Sequence, residues 1–237
     1  MPHPLRTRLL LILVLAAAAV AAGCGGGDDD TAAASDGGAR KVTVAGDSIS
    51  VGLGAALRDA VDGGAVDGGT EVKVIGEPGT GLARADSFDW NARLDELARD
   101  FPPDVLVFSL GSNDAQDLVD ADGDVVVTMA EDDAWDDEYS RRLAAAFDAF
   151  EDTGTTVVWV GHVRTEEDRV GLTNRGVHRL AADVAADRDW VVVTDLAEML
   201  GSGEDVAEDC LTGDGLHLTV DCLERAASSL AGTPPIG

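Results

Sequence analysis

The sequence predicts an α/β fold, specifically a three-layer α/β/α sandwich around a parallel sheet of about five strands. Short apolar runs rich in valine alternate with segments whose apolar residues recur at helical spacing, as in strand–helix–strand units. The run at residues 104–110 is apolar almost throughout, as expected for a strand covered on both faces. At 237 residues, the chain is long enough for one domain with a full core.

The predicted elements alternate regularly along the chain. Strands are expected at residues 41–45, 71–75, 104–110, 155–160 and 190–194. Helices are expected directly after residue 48 and at residues 90–100, 135–151, 171–187 and 218–230. Parallel strands joined in this way require right-handed crossovers. Because no repeat or second change in composition follows residue 40, a single domain is predicted over residues 41–237.

The charge balance is strongly acidic, with 45 Asp and Glu against 17 Lys and Arg, a net charge of −28. A surface of this sign repels phosphate backbones and anionic lipid headgroups. The composition therefore argues against nucleic-acid partners and against direct adsorption to a membrane. We expect a monomer with an acidic, well-solvated surface.

The first 23 residues have the layout of a secretory signal peptide. Arg6 and Arg8 precede a continuous apolar run that ends in small residues. The sequence around Cys24 resembles the lipobox of bacterial lipoproteins, which implies lipidation of Cys24 at the outer face of the cell membrane. An ordinary secreted protein cut nearby is the alternative. Residues 24–40 are rich in Gly and Asp and predict a flexible acidic tether.

Two cysteines remain if Cys24 carries lipid. Cys210 and Cys222 are 12 residues apart, and an exported protein meets an oxidising environment. A disulfide between them is the favoured interpretation, and two free thiols are the alternative.

Four polar segments follow predicted strands or precede the last helix, where function gathers in parallel sheets. Ser48 follows the first strand and begins a helix, a glycine-rich turn at residues 76–81 follows the second, and Asn113 follows the third. Asp214 precedes His217 by three residues before the closing helix. Taken singly, each has an ordinary explanation: a helix-capping serine, a turn, or a surface ion pair.

Taken in order, these four segments resemble the sequence blocks of the SGNH/GDSL hydrolase superfamily, over residues 41 to about 230. The family reads Gly-Asp-Ser-Leu where this chain has Gly46-Asp47-Ser48-Ile49. The resemblance implies a flavodoxin-like SGNH-hydrolase fold and a serine esterase that needs no metal or other cofactor.

The resemblance also implies the roles of a catalytic triad. Ser48 would be the nucleophile, and His217 would be the general base and then the general acid. Asp214 would orient His217 and stabilise its protonated form.

The family's oxyanion hole carries over to three positions. They are the backbone N–H of Ser48, the backbone N–H of a glycine in the second loop and the side-chain amide of Asn113. Gly79 matches the family glycine better than Gly81, although the sequence leaves the register between them open.

Three functions are compatible with these residues. The leading one is a surface-tethered or secreted serine esterase acting on acyl esters of small molecules, lipids or glycans. An O-acyltransferase or deacetylase of cell-envelope glycans would use the same site. A non-catalytic binding lipoprotein with the same fold is the alternative from another class.

An acidic segment after Asn113 has carboxylates at calcium-loop spacing, namely Asp120, Asp122, Asp124 and Glu131. The sixth position, where such a loop needs glycine, is Val125. We therefore predict a solvated acidic insertion over residues 115–135 that contains a short strand at residues 125–128.

The remaining histidines and the tryptophans have weaker functional signals. His178 lies inside a helical pattern and is predicted to pack or face solvent, whereas His162 follows the fourth strand and is a candidate for the pocket lining. The four tryptophans are assigned to packing: Trp90, Trp135, Trp159 and Trp190.

Overall fold

A computed structural model describes residues 39–66, 69–164, 169–203 and 205–237. The predicted signal peptide, Cys24 and nearly all of the predicted tether lie outside the described residues. Within the described ranges, no helix has the length and apolar character needed to cross a bilayer.

The described residues form seven strands and six helices. The strands are β1 (Lys41–Gly46), β2 (Glu71–Gly76), β3 (Val105–Ser109), β4 (Leu118–Val119), β5 (Val125–Val127), β6 (Thr156–Gly161) and β7 (Val191–Asp195). The helices are α1 (Ser48–Asp62), α2 (Trp90–Asp100), α3 (Asp132–Asp148), α4 (Arg169–Ala185), α5 (Leu196–Leu200) and α6 (Val220–Ala231).

The main sheet contains five parallel strands in the order β2-β1-β3-β6-β7. This is the order of flavodoxin-like folds, in which the strand order reverses at the point between β1 and β3. The predicted α/β class and five-stranded parallel sheet are confirmed. Of the predicted helices, α2 has the predicted bounds, whereas α3 and α4 begin and end two or three residues earlier than predicted.

The core is divided between the two faces of the sheet, because successive side chains of a strand point to opposite sides. All of β3 is buried, with Val105 and Val107 on the face covered by α1 and α6. Leu106 and Phe108 lie on the other face, under the layer of α2, α3 and α4. Trp159 packs edge-on against Phe108, with ring centroids 5.5 Å apart. Trp90, Trp135 and Trp159 are buried, as predicted, and Trp190 is half-buried.

The β1–α1 junction is fixed by Gly46 and Asp47. Gly46 has φ +139°, and a Cβ there would overlap the Ser109 carbonyl oxygen, so only glycine fits. The Asp47 side chain accepts a hydrogen bond from Ile49 N at 3.0 Å and so caps α1. Ser48 is consequently the first residue of the helix rather than its cap, and its hydroxyl is free for other contacts.

The insertion after β3 forms a small two-stranded sheet, with β4 antiparallel to β5. Its second strand confirms the predicted strand near residue 125. Asp120 Oδ1 accepts the N–H groups of Asp122 and Asp124, and Glu131 Oε2 accepts the N–H and the hydroxyl of Thr128. These carboxylates thus cap local turns, and the described ranges hold no cluster of three or more potential metal ligands.

A disulfide joins Cys210 to Cys222, as the sequence predicts. The disulfide links the segment before α6 to the first turn of that helix. An antiparallel bridge between Leu211 and Leu218 also holds together the segment between the cysteines. Both sulfur-bearing side chains are buried in the core. The segment between the cysteines is therefore held at both ends.

Replacing both Cys210 and Cys222 with alanine should lower the stability of the domain by about 3 kcal/mol, because the unfolded chain regains the entropy of an open loop. For a domain of this size, that corresponds to a drop in Tm of roughly 6–12 °C. Thermal unfolding followed by circular dichroism measures the change, with the oxidised parent as the control. A double variant with an unchanged Tm would show that the cross-link adds nothing to the turn.

Candidate active site

Three side chains predicted to act together meet at the C-terminal edge of the sheet. Ser48 Oγ lies 2.8 Å from His217 Nε2, although 169 residues separate them in the chain. His217 Nδ1 lies 2.7 Å from Asp214 Oδ2. The structure therefore brings Ser48, His217 and Asp214 into one hydrogen-bonded row.

The hydrogen bonds around Asp214 determine which nitrogen of His217 carries a proton. Asp214 also accepts hydrogen bonds from Thr212 Oγ1, Leu216 N and His217 N, at 2.7–3.0 Å. Those donors and the imidazole hold the pKa of Asp214 well below its usual range, so this carboxyl group is ionised. An ionised Asp214 accepts a hydrogen bond from His217 Nδ1–H, which leaves Nε2 unprotonated and able to accept the Ser48 hydroxyl proton.

Several backbone N–H groups of the loops around Ser48 have no acceptor among the residues that the structure describes. They include those of Ser48, at the positive end of α1, and of Gly79 and Gly81, in the loop after β2. Gly79 is exposed with φ +79°, whereas Gly81 is buried and a Cβ there would overlap the Asp114 carboxylate. A donor to a substrate must reach accessible space, so this geometry favours Gly79 over Gly81.

Asn113 lies at the site, but its amide is already engaged. Nδ2 donates to Asp47 Oδ2 at 3.0 Å and to the Thr80 carbonyl at 2.9 Å. Both partners are acceptors, so both hydrogens of the amide are used. The predicted donation to an oxyanion requires Asn113 to share one of these hydrogens. Asn113 donates to Asp47 because the second carboxylate oxygen of this buried residue needs a hydrogen-bond donor.

Sequence reasoning missed the role of His162. It is buried beneath the loop after β3, with 2% of its surface exposed. Its Nδ1 accepts from Ser112 N at 3.2 Å, so Nε2 carries the proton and faces Ser109 Oγ at 2.8 Å. Nε2 also lies 3.9 Å from Asp47 Oδ1. Burial lowers the pKa of His162, in keeping with a neutral ring that holds the Asn113 loop.

His178 takes no part in this site. It lies in α4, half-buried, with Nε2 3.6 Å from Asp195 Oδ2. This half-buried position agrees with the prediction that His178 packs or faces solvent within a helix.

Residues 41–228 match the family described as protein of unknown function (DUF459). The chain belongs to this family. No curated protein matches the sequence.

Several solved structures are similar to this DUF459 protein. One is a protein of the G-D-S-L lipolytic family from Desulfitobacterium hafniense DCB-2, with 16% identity, TM-score 0.59 and coverage of 81% of this chain and 97% of that one. Another is a variant of an acetyl xylan esterase from Geobacillus stearothermophilus, with 17% identity, TM-score 0.57 and coverage of 81% and 93%. A third is an aryl esterase from M. smegmatis, with 14% identity, TM-score 0.55 and coverage of 81% and 97%. The DUF459 chain therefore has the SGNH/GDSL hydrolase fold that the sequence blocks predict.

A second buried carboxyl group, Asp114, supports the same loops in this DUF459 protein. Its Oδ1 accepts from Ala83 N and its Oδ2 contacts the Tyr139 hydroxyl, each at 2.7 Å. Burial raises the pKa of Asp114 to about 7, from an ordinary value of 3.8. The Tyr139 hydroxyl donates to Oδ2, and protonation at the other lone pairs leaves the group neutral inside the protein below about pH 7.

The pKa of Asp114 predicts a specific dependence of stability on pH. Because its folded pKa lies above the unfolded value, the folded state binds more protons between pH 4 and 7, and stability falls as pH rises. The contribution of Asp114 to the free energy of unfolding should fall by roughly 2–3 kcal/mol between pH 5 and pH 8. In Asp114→Asn, a neutral amide makes the same contacts, so this fall should disappear.

Urea unfolding of both proteins across that pH range measures the difference. Asp120→Asn is the matched control, because that exposed carboxylate also accepts two backbone N–H groups. Parallel stability curves for the parent and Asp114→Asn would contradict the assignment.

Proposed function

We propose that this protein is a serine esterase that works through an acyl-serine intermediate. The observation that carries the proposal is the row of contacts from Ser48 Oγ through His217 to Asp214, at 2.8 and 2.7 Å. These distances match the needs of a nucleophile, its base and the group that orients the base.

The proposed reaction begins as His217 Nε2 removes the Ser48 proton and Oγ forms a bond to the ester carbonyl carbon. The carbonyl electrons move to oxygen, and the negative charge faces the free N–H groups of Ser48 and Gly79. When the intermediate collapses, the bond to the alcohol oxygen breaks and the His217 proton passes to that oxygen. Water then repeats the sequence on the acyl-serine, releasing the acid and restoring Ser48.

The environment of Asp214 supports this cycle. His217 becomes positively charged when it takes the serine proton, and the adjacent ionised carboxylate stabilises that charge. Four donors hold Asp214 in place, so little reorganisation accompanies each proton transfer.

The structural relatives support the substrate class of the proposal. Two of them are named as esterases of acetylated xylan and of aryl esters. By that analogy, we propose acyl esters of small molecules or glycans as substrates, with water as the final acceptor. Release of the free acid, rather than transfer to a sugar hydroxyl, separates this function from the acyltransferase alternative.

Replacing Ser48 or His217 with alanine should abolish hydrolysis of p-nitrophenyl acetate, with kcat/KM reduced by roughly 10³-fold or more. A fluorophosphonate probe should label the parent and leave Ser48→Ala unlabelled. Ser87→Ala, which changes an exposed serine outside the site, is the matched control.

Retention of activity in Ser48→Ala would overturn the nucleophile assignment. If the parent neither hydrolyses esters of any chain length nor reacts with the probe, the non-catalytic binding protein becomes the better interpretation.

We also propose that the protein is exported and anchored to the outer face of the cell membrane through a lipid on Cys24. The apolar run and small residues before Cys24 support this proposal. Cys24→Ala should move the protein from the membrane fraction to the soluble fraction, because lipid chains supply the affinity of such an anchor. The Cys210/Cys222 double alanine variant should stay in the membrane fraction, and an unchanged distribution of Cys24→Ala would contradict the anchor.

A further inference from the structure

A cavity of about 210 Å³ borders the turn that carries Asp214 and His217. Asp214, Gly215 and Leu216 form one wall, and the opposite wall comes from the first turns of α4, including Arg169 and Asn174. Its volume suits a single ring or a short polar chain. The cavity is therefore placed to hold a part of an ester that does not react.

Arg169 differs from every other arginine in the described ranges. Each of the others donates a hydrogen bond to a carboxylate or a carbonyl oxygen. The Arg169 guanidinium has no acceptor among the described residues, although acidic residues outnumber basic ones by 45 to 17. Because no described residue engages its guanidinium, Arg169 is available for a ligand at this cavity.

Asp214, the acidic residue of the cavity wall, does not pair with the Arg169 guanidinium. Asp214 already accepts four hydrogen bonds, from His217 twice and from Thr212 and Leu216. Its charge is thus directed toward the catalytic turn. A planar guanidinium presents paired N–H groups that match a carboxylate or a phosphate group.

The rest of the wall is rigid and partly apolar. Asn174 is 1% exposed and donates Nδ2 to Val163 O at 2.7 Å and to Ser112 Oγ at 3.3 Å. These bonds join α4 to the loop after β6 and to the loop that carries Asn113. Leu216 and Val163 add apolar surface, so the cavity combines a cationic end with an apolar wall.

We propose that this cavity binds the non-reacting part of the ester and that Arg169 selects substrates that carry an anionic oxygen group, a carboxylate or a phosphate, on that part. The inference rests on the proposed esterase function and names a substrate class for the same site. At physiological ionic strength, charges more than about 8 Å away are largely screened, so the contact with Arg169 decides the preference despite the acidic surface.

Two acetyl esters that differ in one charge test the proposal: 4-acetoxybenzoate and its methyl ester. The full-length protein should prefer the carboxylate, and Arg169→Gln should lower the ratio of the two kcat/KM values by about three- to tenfold. Arg169→Glu should reverse the preference, and Arg169→Lys should restore part of it. 4-Acetoxyphenyl phosphate provides the phosphate arm.

Arg179→Gln is the matched control, because Arg179 lies on the same helix, is exposed and pairs with Asp136. Arg179→Gln should leave kcat/KM for both esters unchanged, and Arg169 variants with the Tm of the parent separate recognition of the charge from loss of folding. Raising the salt concentration should shrink the preference of the parent and leave Arg169→Gln unchanged.

A ratio that stays within about twofold of the parent in Arg169→Gln would overturn this inference while leaving the esterase intact. Absence of hydrolysis of either ester, together with absence of fluorophosphonate labelling, would instead overturn the proposed function. Calorimetric binding of the product 4-hydroxybenzoate to the parent and to Arg169→Gln gives a readout independent of turnover. Equal affinities would contradict the role of Arg169.

Discussion

The buried carboxylate of Asp47 is the group on which the candidate site depends. One oxygen caps α1 through Ile49 N, and the other accepts the amide of Asn113 from the loop after β3. His162 Nε2 approaches the first oxygen at 3.9 Å. Removing a carboxylate from water is costly unless donors surround it, so Asp47 requires these elements to converge. That convergence fixes Ser48, the next residue in the chain.

Asp47 also affects the charge of Asp114, the second buried carboxyl group beneath the loops at the site. Asp114 lies close enough to Asp47 for the two charges to repel, and this repulsion adds to the burial that raises the pKa of Asp114. Keeping Asp114 protonated leaves fewer negative charges in the interior. The protonated form still joins Ala83 to Tyr139, so the second and third loops remain connected. In this way, two neighbouring aspartates perform different tasks because their surroundings differ.

The sequence predicts the parts of this arrangement that depend on neighbouring residues. Strand β3 is recognisable from its continuous apolar run, and Asp214 and His217 are three residues apart, so local spacing indicates their contact. The engagement of the Asn113 amide and the place of His162 depend on contacts across 50 or more residues, which no local pattern encodes. Helix α5 has only five residues and is too short for helical periodicity to appear.

Ser48 and the pair formed by His217 and Asp214 are held in place by different parts of the structure. Ser48 stands on a buried junction where glycine geometry, a helix cap and the Asp47 contacts leave little freedom. His217 stands on a partly exposed turn, whose order comes from the Cys210–Cys222 disulfide and from the hydrogen bonds of Asp214. In the proposed reaction, the N–H groups of Ser48 and Gly79 would face the developing negative charge, and both belong to the part of the site that does not depend on the turn. Movement of the turn would change the distance between His217 and Ser48 first, so the disulfide would affect the proposed proton transfer rather than the stabilisation of charge.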